Sequence, residues 1–170
     1  NVAMGDSALS GLTTGHYNIA IGSQAGAALV AGTENTFCGL LSGRYTGGTD
    51  HPDYNTGFGS RTLYANTTGE YNVAMGAYAL SANTTATHNI GIGYGAGDVI
   101  TTGSTNICIG SITDPSANNA SGQIIIGYNA TCVGNSTVTF GYGSNTASLA
   151  LDGSDTSWAA ASDIRLKDNI

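Results

Sequence analysis

A five-residue pattern, asparagine then apolar, any, apolar and glycine, returns along the chain at almost constant spacing. It reads Asn1-Val2-Ala3-Met4-Gly5, Asn18-Ile19-Ala20-Ile21-Gly22, Asn35-Thr36-Phe37-Cys38-Gly39 and Asn55-Thr56-Gly57-Phe58-Gly59. It continues as Asn72-Val73-Ala74-Met75-Gly76, Asn89-Ile90-Gly91-Ile92-Gly93 and Asn106-Ile107-Cys108-Ile109-Gly110, with degenerate copies at Gln123–Gly127 and Thr137–Gly141. The closing glycines are 17, 17, 20, 17, 17, 17, 17 and 14 residues apart. A fixed period of this size marks a repeat architecture, in which each unit buries its apolar face only against its neighbours.

Within each copy the apolar residues alternate with period two, as in a strand. Ile19 and Ile21, or Ile90 and Ile92, therefore share one face. The middle residue faces the other way and is often small (Ala3, Ala20, Gly57, Ala74, Gly91), which reads as an outward surface closely approached by a neighbouring chain. An alanine commonly follows the glycine by three residues (Ala8, Ala25, Ala79, Ala96, Ala130), and stretches such as Thr13-Thr14-Gly15, Thr67-Thr68-Gly69 and Thr101-Thr102-Gly103 return the chain to the next asparagine. Each repeat thus reads as one coil of an all-β parallel solenoid of about nine 17-residue coils, with strands stacked about 4.8 Å apart.

Two columns follow from the stacking. Asn1, Asn18, Asn35, Asn55, Asn72, Asn89 and Asn106 are expected to form an amide ladder along the rod. Gly5, Gly22, Gly39, Gly59, Gly76, Gly93, Gly110, Gly127 and Gly141 are expected at the corners, where a positive φ or a close backbone approach excludes a side chain.

So thin a coil leaves apolar surface that a monomer cannot bury, and assembly around a shared axis would cover it. The repeat resembles the head repeats of trimeric autotransporter adhesins over residues 1–146, which implies a left-handed parallel β-roll assembled as a homotrimer. Spacing shrinks toward the C-terminus, so 147–162 reads as a tapering cap closed by Trp158. The segment Ser162-Asp163-Ile164-Arg165-Leu166-Lys167-Asp168-Asn169-Ile170 then resembles the entry to the self-cleaving intramolecular chaperone of phage tail fibres, tailspikes and neck appendages, endosialidases included. That resemblance makes 163–170 the chaperone's N-terminal stub. It implies a cut between Ser162 and Asp163, with Lys167 as the residue that assists the serine.

Other functions find little footing. With 9% charged residues, four Lys plus Arg and a net charge of −7, a phosphate-binding surface for nucleic acid is not expected. No apolar run is long enough to insert in a membrane. The 41% hydrophobic content argues against disorder. The chain opens in mid-pattern without a leader-like segment, which reads as a piece of a longer protein. Cys38, Cys108 and Cys132 read as small thiols without disulfide or zinc spacing. His16, His51 and His88 lack a recurring acid or nucleophile, so no enzyme, cofactor or metal is expected in the shaft. The loop Gly47–Asp53 in the 20-residue coil, with Asp50, His51 and Asp53, reads as a solvated bulge. Asn66, Asn83, Asn119, Asn129 and Asn135 head accidental glycosylation sequons. Tyr17, Tyr54 and Tyr71 precede anchor asparagines and Tyr94, Tyr128 and Tyr142 follow corner glycines. Two aromatic rows are therefore expected, able to contact a host glycan or to pack coil edges.

These readings converge on an extracellular virion component, a structural and host-recognition segment of a phage tail fibre or appendage that joins other tail components. The alternative is the head of a trimeric bacterial adhesin that binds glycan or matrix; the Ser162–Ile170 segment favours the fibre.

Overall fold

The computed structural model describes residues 1–44 and 52–151 and the backbone of 159–160. Strands β1 (Val2–Met4), β2 (Ile19–Ile21), β3 (Thr36–Cys38), β4 (Thr56–Phe58), β5 (Val73–Met75), β6 (Ile90–Ile92), β7 (Ile107–Ile109), β8 (Ile124–Tyr128) and β9 (Thr137–Tyr142) pair in sequence order, all parallel. Register is locked one repeat apart: Ile19 faces Thr36, and Ile90 faces Ile107. The described chain is all-β, a parallel β-solenoid with each coil stacked on the last.

Stacking continues beyond the strands. Gln24 donates its backbone N–H to Asp6, Gly11 to Ala27 and Thr13 to Val30, so the turns also repeat their neighbours. Every coil needs left-handed backbone at the same places, two residues after the corner glycine and immediately before the next anchor. Seventeen non-glycine residues have positive φ, among them Arg61, Tyr78 and Ile112 in the first column and Tyr54, Tyr71 and His88 in the second. Each such residue carries a local cost of about 1–2 kcal/mol, offset by the inter-coil bonds on either side.

The core reverses one expectation. The middle residue of each strand points into the coil: Ala20, Phe37, Ala74, Cys108 and Ile125 are fully buried, while the residues on either side face out. The coil is so narrow that alanine or glycine fills its interior, and small size here marks the inside. Where the middle residue is large, glycines of its own coil and the next make room. A Cβ added at Gly43 would lie 2.6 Å from the Phe37 ring, and one at Gly57 would lie 3.2 Å from it. Leu29, Leu63, Leu80 and Ile100 complete the thin core.

Parallel stacking ends sooner than the expected boundary at 146. After β9 the chain turns at Gly143 and β10 (Asn145–Ala150) pairs antiparallel with β9, Ala147 opposite Phe140. A short β11 (Ala159–Ala160) continues the sheet antiparallel to β10. About eight coils therefore close, and a hairpin seals the last one. Gly141 lies inside this hairpin, pairs with Thr146 and lacks the positive φ of the other eight corner glycines.

Candidate functional site

The anchor asparagines form the expected ladder, and it is directional. Asn72 is fully buried; its Oδ1 accepts the Asn89 backbone N–H at 3.0 Å, and its Nδ2 donates to Asn55 Oδ1 at 3.1 Å and to the Ala86 carbonyl at 2.9 Å. Asn18, Asn35, Asn55, Asn89 and Asn106 likewise accept the next coil's N–H and donate to a turn carbonyl. Asn18, Asn35 and Asn106 add the amide-to-amide bond, and Asn1 begins the ladder by accepting from Asn18. Each asparagine thus satisfies the next coil's N–H and a turn carbonyl of its own coil. Gln123 keeps its place at the far end, donating its N–H to Asn106 Oδ1 while its longer side chain reaches Ser116 and Asn135. Thr137 leaves the ladder and donates instead to the Gly134 carbonyl.

A second, shorter ladder stands inside the turns. Asn66 and Asn83 are fully buried, and Asn83 Nδ2 donates to Asn66 Oδ1 at 3.1 Å. Asn66 also bridges its own turn, accepting from Gly69 and donating back to its carbonyl. These two sequons are therefore inaccessible in the folded rod, whereas Asn119, Asn129 and Asn135 are exposed. Their spacing by one repeat was the signal in the sequence.

The aromatic residues form stacks rather than the two full rows expected. Tyr54 lies parallel to Tyr71 with centroids 4.8 Å apart, and Tyr71 stacks on His88 at 4.9 Å. Tyr17 is separated from them by the coil that carries Glu34 at this position. The Tyr54 hydroxyl has a raised pKa, chiefly because Glu34 and Tyr71 stand beside it. In the second column Tyr128 stacks on Tyr142 at 5.2 Å, while Tyr94 meets Tyr78 edge-on at 5.9 Å. Rings stacked at strand spacing cover one another's faces, so they support coil packing better than sugar stacking.

On the outer sheet face, the residue before each corner glycine is apolar without a break: Met4, Ile21, Cys38, Phe58, Met75, Ile92, Ile109 and Ile126. Phe58 and Met75 are each 44% exposed. The column is a straight apolar ridge on the order of 40 Å long at strand spacing.

Between the last coils lies a polar irregularity. Asp114 Oδ1 is buried without a hydrogen-bond partner among the described residues. Burial, then the nearby Asp98 carboxylate, pushes the Asp114 carboxyl up to about 6 against a Val99 N–H that lowers it. Burial also raises Asp98. The native state thus holds this proton more tightly than the unfolded chain, whose carboxyl titrates near 3.8. Its contribution to stability is complete below that value and is lost as pH rises through about 6. The shift is equivalent to roughly 3 kcal/mol, reduced by solvent on the partly open side to about 1–2 kcal/mol. Thermal melts at pH 4 and pH 7 should therefore differ more for the wild-type chain than for Asp114→Asn, and an equal difference would show that Asp114 does not titrate in this window. Burial, with Asp114 and Cys132 adding to it, pushes the Cys108 thiol up to about 12, which leaves it protonated as a core filler.

Asp53 Oδ1 accepts the Thr33 N–H at 2.6 Å and so ties two coils together. The rest of the predicted bulge, Gly47 to His51, lies outside the described residues, as do Trp158, Ser162, Asp163 and Lys167. Among the described residues no three metal-ligating side chains cluster, and no helix is long and apolar enough to cross a membrane. Comparison with protein families, with curated proteins and with solved structures finds no match.

Proposed function

We propose that the chain is the rigid shaft of a homotrimeric phage tail fibre or appendage, in which three copies turn the Met4–Ile126 ridge toward a common axis. The unbroken ridge carries this reading. Eight outward apolar side chains, each half-covered, would gain roughly 1 kcal/mol apiece on losing their remaining contact with water. A covering partner must present apolar groups at the same pitch over the same length, and a second copy of the ridge does so. Parallel copies in register would set identical residues at identical heights. The Ser162–Ile170 segment supports a fibre folded by a C-terminal chaperone and placed on the virion, extracellular, where its rigidity holds a host-binding element at a fixed distance.

Cys38 makes the arrangement testable, because it stands in the ridge while Cys108 and Cys132 are buried in the coils. In an in-register trimer three Cys38 thiols meet at the axis. A disulfide joins two of them, which together give up two protons and two electrons to a copper–phenanthroline oxidant, and leaves the third thiol unpaired. Light scattering should report three copies, and cross-linking, by this oxidant or by a short bismaleimide, should stop at two of every three chains and vanish in Cys38→Ser. A monomer, or a trimer in which Cys38 never cross-links, would overturn the arrangement. In protein expressed through the chaperone that the resemblance places after Ile170, intact mass should end the mature chain at Ser162. A different end overturns the junction.

A further inference from the structure

Both Lys or Arg side chains of the described residues, Arg44 and Arg61, stand on one flank of a rod whose sequence has net charge −7. The flank is built from the residues two and five places after each corner glycine. Arg44 donates from Nε to Gln24 Oε1 at 2.7 Å, and Arg61 donates from Nη1 to Tyr78 Oη at 3.1 Å. The Arg61 guanidinium lies 5.9 Å from the Tyr64 ring centre and 5.6 Å from that of Tyr78. Tyr78 is braced in turn by the edge-on Tyr94. Among the described residues no carboxylate pairs with Arg61, which is exposed. Together Arg61, Tyr64, Tyr78, Ser81 and Ala82 line an open groove of about 320 Å³.

We propose that this groove binds the carboxylate-bearing sugar of an acidic polysaccharide. A guanidinium fork recognises a carboxylate through two parallel hydrogen bonds, and contact with aromatic rings holds that fork in place. Tyr64, Tyr78 and Ser81 add hydroxyls, and the small Ala82 lets a sugar ring approach. Unlike Tyr54 and Tyr71, Tyr64 and Tyr78 flank a cation instead of covering each other. The groove is an open furrow, suited to a polymer lying on the rod. On the same flank a second furrow, of about 360 Å³, is lined by Ser7, Ser10, Gln24, Ala27, Ala28 and Arg44. An acidic peptide fits less well. Peptides that bind β-structure pair with free backbone groups, and here the walls have used theirs between coils: Leu63 donates to Ala79, Ala65 to Ser81 and Tyr78 to Ser60.

The test titrates the intact protein with oligogalacturonate, with its methyl ester, which keeps the sugar and removes the charge, and with oligoglutamate. Oligogalacturonate should bind, and the ester and oligoglutamate at least tenfold more weakly. Arg61→Gln and Tyr64→Ala should each weaken oligogalacturonate binding about tenfold. Arg61→Gln should melt like the wild type, because Arg61 is exposed, so its loss of binding would be local. Equal binding of the ester, equal or tighter binding of oligoglutamate, or an unaffected Arg61→Gln would each overturn the proposal. The trimer is judged separately by Cys38 cross-linking, so either reading can fail alone.

Discussion

Asn72→Ala is expected to destabilise the rod by about 1–3 kcal/mol per chain, read as a fall in melting temperature or denaturation midpoint. The substitution removes the acceptor for the buried Asn89 N–H, while the Ala86 carbonyl loses one donor and keeps Asn83 Nδ2 at 3.2 Å. Each buried group left unpaired costs about 1–3 kcal/mol. Asn55 Oδ1 keeps the Asn72 backbone N–H and adds little to the loss. Thr85→Ala, on an exposed turn of the same coil, should change stability by no more than about 0.5 kcal/mol. Similar losses at both positions would mean that the ladder contributes nothing beyond its backbone.

Gly93→Ala should be at least as damaging, at about 3–5 kcal/mol per chain. Gly93 has φ +132, and a Cβ there would lie 2.5 Å from the Gly110 carbonyl oxygen and 2.6 Å from its carbon. The backbone strain alone is of order 1–3 kcal/mol. The overlap is with backbone of the next coil, which can yield only by opening the stack. Gly134→Ala is the matched control, because no heavy atom lies within 4 Å of its Cβ position and its φ is not positive. It should stay within about 0.5 kcal/mol of the wild type. A tolerant Gly93 would show that coils 6 and 7 do not approach as closely as their backbones indicate.

Periodicity made the coils, the strand positions and the anchor ladder legible, because all three depend on residue identity at fixed spacing. Which strand face was the interior was not legible from alternation. Period two groups Ile90 with Ile92 but does not say whether Gly91 or the isoleucines face inward. Phe37 held the missing information. It is the one aromatic middle residue, and glycines surround it at 43 in its own coil and at 26 and 57 in the adjoining coils. The left-handed turn positions were hidden for another reason. Leucine, tyrosine, arginine and histidine occupy them, and the conformation is imposed by bonds to neighbouring coils rather than by the residues themselves. The Arg61 groove was equally hidden, since it joins Arg61 and Tyr64 to Tyr78 of the next coil and only the stacking brings them together.

The inter-coil hydrogen bonds run along the rod: Val2 to Asn18, Ile19 to Asn35, Thr36 to Asn55, and onward. Tension applied at the two ends therefore loads successive coil interfaces in series, and the weakest interface sets the force at which the rod yields. It should lengthen in steps of one coil, each releasing about 17 residues of slack. Bending and compression instead press neighbouring coils together and are resisted by every backbone contact on the loaded side. A rod built this way should be stiff under compression and give way one coil at a time under tension.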